Sequence, residues 1–192
     1  MTAAPLPDWV MPPPGGFTAG DLDRLTDLPA HTELIDGSLV FVGPQASFHT
    51  LLMDLLVNGL RQAAPADVRV RREMSVILGR RQRPEPDVSV IRAGADVSPE
   101  ATALQATDLL LVAEVVSPDS EERDRERKPE LYAKAGIPHF WRVENVSGVP
   151  SVYVYELDPA THGYALTGIY HAQLKVSLPF AIDIDLTEAD RL

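Results

Sequence analysis

Two carboxylates in this 192-residue sequence stand where carboxylates are unusual. Asp87 follows Pro86 at the mouth of the strand-like run Asp87-Val88-Ser89-Val90. Glu114 interrupts Leu109-Leu110-Leu111-Val112-Ala113-Glu114-Val115-Val116, an otherwise apolar stretch. An ionised carboxylate inside a buried strand is costly unless a metal ion, a Lys or Arg, or a dipole compensates it. If the two strands are antiparallel neighbours, the start of one lies beside the end of the other and two hard oxygen ligands converge. Such a pair suits Mg²⁺ or Mn²⁺, which would take its remaining positions from waters and a phosphate oxygen. The reaction class implied is hydrolytic attack on a phosphodiester. Each residue alone has a plainer reading: Asp87 as a strand-start carboxylate capping a turn, Glu114 as half of a core salt bridge with an Arg. The pairing is what turns the argument toward a metal.

Other candidates are weaker. His49 falls just past the start of an amphipathic helix, where a histidine is more often an ordinary surface or core residue than a ligand. His31, His139, His162 and His171 show no metal-ligand spacing, and there is no HExxH pair and no Gly-rich phosphate loop. The absence of cysteine excludes disulfides, thiolate catalysis, zinc-cysteine sites and iron-sulfur clusters. A formal net charge of -11 argues against a broad electrostatic platform for nucleic acid. Locally the charge reverses: Arg69, Arg71, Arg72, Arg80, Arg81 and Arg83 are opposed by Glu73 alone. These arginines are either solvated strand ends and a loop, or a track for a phosphate backbone leading toward Asp87. The aromatics Trp141, Tyr153, Tyr155, Tyr164 and Tyr170 fall in strand patterns and read as sheet and core.

The elements that must position these residues follow from periodicity. Residues 1–20, rich in Pro and Gly, read as an extended arm outside the core, leading into a short helical turn around Asp21–Leu28; residues 21–192 read as one domain. Glu33–Val42 holds two apolar runs around Asp36-Gly37, a tight hairpin. Phe48, Leu51, Leu52, Leu55, Leu56 and Leu60 predict a helix over 47–64, with Ser47 as its N-cap. Strands are expected at Val68–Arg72, Met74–Leu78, Asp87–Arg92 and Leu109–Ser117, with 93–108 as a connection. A charged helix then ends at Gly136, beginning near Lys128 or kinked there because Pro129 cannot sit comfortably inside it. Further strands are expected at His139–Glu144, Ser151–Leu157, Gly163–Tyr170 and Lys175–Ile184. The class is mixed α/β with an antiparallel-rich sheet and helices packed on it. No apolar run approaches a membrane span and the start resembles no signal peptide, so the expectation is a soluble, cytoplasmic protein with no membrane partner.

Taken in order, the ELIDG hairpin at 33–37, the helix bearing His49, PDVSV at 86–90, EVVSP at 114–118, DRERKPELY at 124–132 and GIPHFWRV at 136–143 resemble the Uma2 family of the PD-(D/E)XK nuclease superfamily. The resemblance runs from about Glu33 to Glu144. It implies a restriction-endonuclease-like fold, a mixed, antiparallel-rich central sheet flanked by helices, and an Mg²⁺- or Mn²⁺-dependent endonuclease hydrolysing DNA. By the same resemblance Asp87 and Glu114 are the metal carboxylates, Lys128 supplies the positive charge that orients or activates water, and Glu33 is an auxiliary acid. The superfamily's Lys two residues beyond the Glu is here Val116, and Lys128 on the following helix takes its place. His49, Asp124 and Tyr132 are auxiliary candidates; on an uninterrupted helix Asp124, Lys128 and Tyr132 share one face at i, i+4, i+8. Arg71, Arg72, Arg80, Arg81 and Arg83 are the candidate DNA contacts. Analogy with superfamily members that cut two strands suggests a homodimer. Two rivals stand beside this reading: a catalytically inactive binding or regulatory module, and a hydrolase of a small phosphodiester.

Overall fold

The computed structural model describes residues 7–95 and 98–191. A hairpin comes first, β1 (Glu33–Ile35) and β2 (Ser38–Val40), joined at Asp36 and Gly37. Both turn residues have positive φ, 55° and 80°, the conformation of the two-residue turn that Asp-Gly favours. Helix α1 (Ser47–Ala63) follows, its Leu52, Leu56 and Leu60 recurring every turn on one buried face. Its N-cap is Ala46, not Ser47, and no side chain caps it; Ser47 is already inside the first turn. Then come β3 (Val68–Arg72), β4 (Ser75–Ile77), β5 (Val88–Arg92), β6 (Ala103–Gln105) and β7 (Leu109–Val115). Residues 121–134 are helical without a break, a π-helical stretch at Arg123–Arg127 leading into α2 (Lys128–Lys134). The chain closes with β8 (His139–Val146), β9 (Val149–Asp158), β10 (Gly163–Tyr170), β11 (Gln173–Val176) and β12 (Ile182–Asp185).

Six strands form one mixed sheet in the order β10-β9-β8-β7-β5-β3. Every neighbouring pair is antiparallel except β7 and β8, whose parallel pairing uses the intervening helix as its crossover. On one face α1 and the β11-β12 hairpin cover Val88, Val90, Leu111, Ala113, Trp141 and Val143. On the other, α2 and the small parallel pair β4-β6 enclose Ile91, Val112, Tyr132 and Phe140. Central β7 is therefore covered on both sides, which explains its nearly unbroken apolar sequence. The register sets Val88 opposite Ala113, so Asp87 and Glu114 lie at the next step of the same antiparallel ladder.

Four expectations are corrected. The segment 93–108 is not only a connection, because β6 lies within it and pairs with β4. Lys175–Ile184 is not one strand; the chain turns around Pro179, which cannot donate to a ladder, and returns as β12. The arm is not wholly outside the core, since Phe17 and Ala19 pack on Leu34 of β1. Its short turn is at Ala19–Asp21, closed by a capping box in which Thr18 donates to Asp21 Oδ2 at 2.7 Å, holding that carboxyl down to about 2. Finally, α2 begins at Lys128, as Pro129 in its first turn favours, but the coil before it is continuous with it. Proline has no N–H for the Arg125 carbonyl and its ring would crowd that oxygen; the preceding coil widens instead, and Lys128 N–H bonds five residues back to Arg123 O. Among the described residues no helix is long and apolar enough to cross a membrane.

Burial predicts where truncation hurts. Leu56 is 0% exposed at the centre of the α1 face and Leu166 on β10 is 50% exposed. Leu56→Ala is expected to lower stability by about 2–5 kcal/mol, read from the urea midpoint, and Leu166→Ala by less than about 0.5 kcal/mol. Equal effects would mean the sheet's packed face is not where the stability lies.

Candidate active site

Glu114 points from β7 into the face that α2 covers and is 1% exposed. Each of its oxygens has a partner on the helix. Oε2 lies 3.0 Å from Lys128 Nζ, and Oε1 accepts a short hydrogen bond from the Tyr132 hydroxyl. The same ammonium reaches Glu33 Oε1 at 3.0 Å and Asp124 Oδ1 at 3.1 Å. One buried lysine thus sits among three buried carboxylates contributed by the first hairpin, the π-helical stretch and the central strand. Burial alone would strip Lys128 of its proton, but Glu114, Glu33 and Asp124 reverse that and raise its pKa well above the ordinary lysine value. Burial pushes the Glu114 carboxyl up, opposed by Lys128 and reinforced by Asp124 and Asp87. Asp124 is likewise raised by burial against the pull of Lys128.

Asp87 borders this cluster just before β5 begins. Its Oδ2 accepts the Val115 N–H at 2.6 Å, continuing the strand ladder through a side chain, and its Oδ1 lies 3.0 Å from His49 Nε2. His49 is buried near the start of α1. Burial pulls the imidazole's pKa down, and the Asp87 carboxylate more than restores it, so the net shift is upward. Glu33, Asp87, Glu114, His49, Asp124 and Lys128 line one cleft of about 340 Å³, while Tyr132 buttresses it from below Glu114.

The local sequence explains how these residues are delivered. The Asp36-Gly37 turn folds β1 against β2, and Asp36 is then clamped by Arg127, which donates Nε to Oδ2 at 2.8 Å and Nη2 to Oδ1 at 2.5 Å. This two-pronged pair, which lowers the Asp36 pKa, ties the hairpin carrying Glu33 to the residue beside Lys128. Glu33 is fixed further by the Glu85 N–H, 2.8 Å from its Oε1. The helix places Asp124, Lys128 and Tyr132 on one face, as the four-residue spacing requires.

The donors available to a metal are hard oxygens. Among the described residues no three His, Asp or Glu side chains form a ready-made metal cage. Mg²⁺ does not need one, because it is commonly held by one or two carboxylates and keeps its waters. Asp87 and Glu114 from adjacent strands would supply two, and the charge balance fits a cation, since one ammonium serves three carboxylates.

The arginines between 69 and 83 are not in this cleft. Arg72, on β3, pairs with Asp54 at 2.7 Å and with Glu73 at 3.1 Å, and Arg71 donates to the Val70 carbonyl. Arg80 and Arg81 lie in an exposed turn, where the Arg81 guanidinium donates to Asp36 O. Arg83 is corrected outright: it is 3% exposed, and it pairs with Asp23 at 2.8 Å and donates to Ala19 O at 2.9 Å, pinning the arm beside β1. Sequence reasoning also passed over His31, Glu73, Glu85, Ser120 and Arg123, all of which line the cleft. Only Glu85 carried a signal, a second carboxylate two residues before Asp87.

The Uma2 family, described as "Putative restriction endonuclease", matches residues 19–188. No curated protein matches. Among solved structures, the fold is similar to that of a putative nuclease belonging to DUF820 from Anabaena variabilis, with a TM-score of 0.69 and 17% identity over 90% of this chain and 97% of that one. A family match spanning nearly the whole described chain places this protein in the Uma2 family, described as putative restriction endonucleases.

Proposed function

We propose that this protein is a metal-dependent endonuclease that hydrolyses phosphodiester bonds of DNA, with Asp87 and Glu114 holding Mg²⁺ or Mn²⁺ and Lys128 beside them. The observation that carries the reading is the surplus of buried carboxylate around one ammonium, Glu33, Glu114 and Asp124 against Lys128. A bound divalent cation would offset that surplus, polarise a phosphate oxygen and acidify a water. Lys128, kept protonated by its neighbours, is a fixed positive charge and not a proton acceptor; its contribution is to steady negative charge developing on the phosphate. Tyr132 holds Glu114 in one orientation, and His49 and the Val115 N–H do the same for Asp87. Glu33 and Asp124 hold the lysine. Arg71, Arg72, Arg80 and Arg81, which keep surface exposure, supply electrostatic attraction for the polymer in this reading, and Arg83 does not.

One observation favours the inactive binding module instead. Lys128 is 4% exposed and engaged by three carboxylates, so its ammonium is drawn inward. Supercoiled plasmid separates the two. The wild-type chain is expected to nick it in Mg²⁺ or Mn²⁺ and to stop on chelation, and Asp87→Asn and Glu114→Gln are expected to lose more than about 100-fold. Undiminished nicking in either variant would overturn the assignment, and DNA binding without any cutting would select the module.

Charge balance makes a second prediction. Lys128→Met leaves three buried carboxylates without their ammonium and is expected to cost about 3–5 kcal/mol near neutral pH. Burial already raises the Glu114 and Asp124 carboxyls, and the variant removes the Lys128 charge that opposes it, so both have folded pKa values above their unfolded ones. The folded chain then binds more protons, so its stability falls as pH rises and recovers toward about pH 5. Urea denaturation at acidic and alkaline pH checks this; a loss independent of pH would mean that Lys128 matters for packing and not for charge.

A further inference from the structure

The cleft holds a cation that the site has not used. Arg123, half-buried, lines it together with Ser120, Asp124 and Lys128. Six carboxylates line the same cleft, and each already has a basic side chain beside it. Glu33, Glu114 and Asp124 are held by Lys128, Asp87 by His49, Glu85 by His31 at 2.5 Å and Glu73 by Arg72 at 3.1 Å. Arg123 forms no ion pair with any described residue, and its Nε is buried with no hydrogen-bond partner. A guanidinium cannot shed its charge, so a buried donor left unpaired on it is costly and is suited to a ligand's acceptor oxygen.

The π-helical stretch accounts for its direction. In an α-helix residues five apart point about 140° away from each other around the axis. Here Lys128 N–H bonds to Arg123 O, so the two residues stand one wide turn apart and both side chains reach the cleft. The widening that accommodates Pro129 is thus also what brings a second cation to the site. π-bulges occur often where function needs such a realignment.

We propose that Arg123 is a substrate-binding residue whose guanidinium grips a non-bridging phosphate oxygen of the nucleic acid in this cleft. The assignment rests on the nuclease reading and adds to it the group that receives the phosphate. Lys128 is committed to carboxylates on every side, whereas Arg123 has the free donors and the planar fork that suit a phosphate.

The test is fluorescence anisotropy of a short labelled DNA duplex in Ca²⁺ over a range of KCl, with plasmid nicking in Mg²⁺ and urea midpoints measured on the same proteins. Arg123→Gln is expected to weaken binding about tenfold or more and to flatten the log-log salt slope by about 0.9, one phosphate contact. Arg123→Lys, which keeps the charge, should retain the slope and nick at an intermediate rate. Arg61→Gln, exposed at the far end of α1, should behave as wild type. If Arg123→Gln keeps wild-type affinity, slope and nicking while Glu114→Gln stops nicking, the Arg123 assignment fails and the nuclease reading survives. A lowered urea midpoint with an unchanged slope would make Arg123 structural and also overturn it. Wild-type protein that neither binds nor nicks the duplex overturns both readings.

Discussion

Within the protein, the ammonium of Lys128 has three carboxylate neighbours at about 3 Å, and each comes from a different piece of chain: Glu33 from the first hairpin, Glu114 from the central strand and Asp124 from the π-helical stretch. A buried ion pair repays its desolvation only when geometry is good and the remaining lone pairs are satisfied. The surroundings meet that demand: Tyr132 takes the second oxygen of Glu114, the Glu85 N–H bonds Glu33, and the Asp36–Arg127 clamp fixes hairpin to helix one residue from the lysine. Removing the ammonium would leave like charges facing each other in a dry space, so hairpin, strand and helix are bound to one arrangement.

The sheet's topology serves that arrangement. An antiparallel β5-β7 pair sets Asp87 beside Glu114, and a parallel β7-β8 pair requires a crossover that leaves from that same end and crosses the face of the sheet. The crossover is the helix carrying Asp124, Lys128 and Tyr132, which therefore comes down on the face into which Glu114 points. Alternation along β7 then divides labour within one strand: Leu111, Ala113 and Val115 pack toward α1, and Val112 and Glu114 face α2.

Much of this could be read from residues near one another in sequence. The Asp36-Gly37 turn, the leucine period of α1 and the apolar run of β7 are local signals, and they place Glu33, His49 and Glu114 on the correct elements. The spacing of Asp124, Lys128 and Tyr132 indicated a shared helical face. What the sequence did not reveal depends on long-range geometry. Nothing near Arg83 distinguishes it from Arg81, yet one is buried beneath the arm and the other lies in an exposed turn, because only position 83 bridges Leu34 on β1. Arg123 escaped for a different reason: no α-helical period pairs position 123 with 128, and a local widening forced by a proline lies outside the pattern of apolar residues that reports helices. β6 was hidden by its shortness and by a parallel partner far away in sequence.

In the proposed site the lysine comes from the helix and not from the strand, which bears on which property of it matters. Two residues beyond Glu114 the chain has Val116, whose N–H continues the ladder by bonding to Val143 O at 2.8 Å. A lysine on the strand and one on the helix start from different backbones, but a long flexible stem lets either put an ammonium against the same carboxylate. The site constrains the position of the charge and not the position of the residue in sequence. That helical origin has a consequence. Approached from α2, the ammonium is enclosed by Asp124 and Glu33 as well as Glu114 and keeps little exposure to the cleft, which leaves room for a second cation where the phosphate would enter. In a chain of net charge -11, with six carboxylates around one cleft, Arg123 is the cleft-lining cation left without a carboxylate among the described residues.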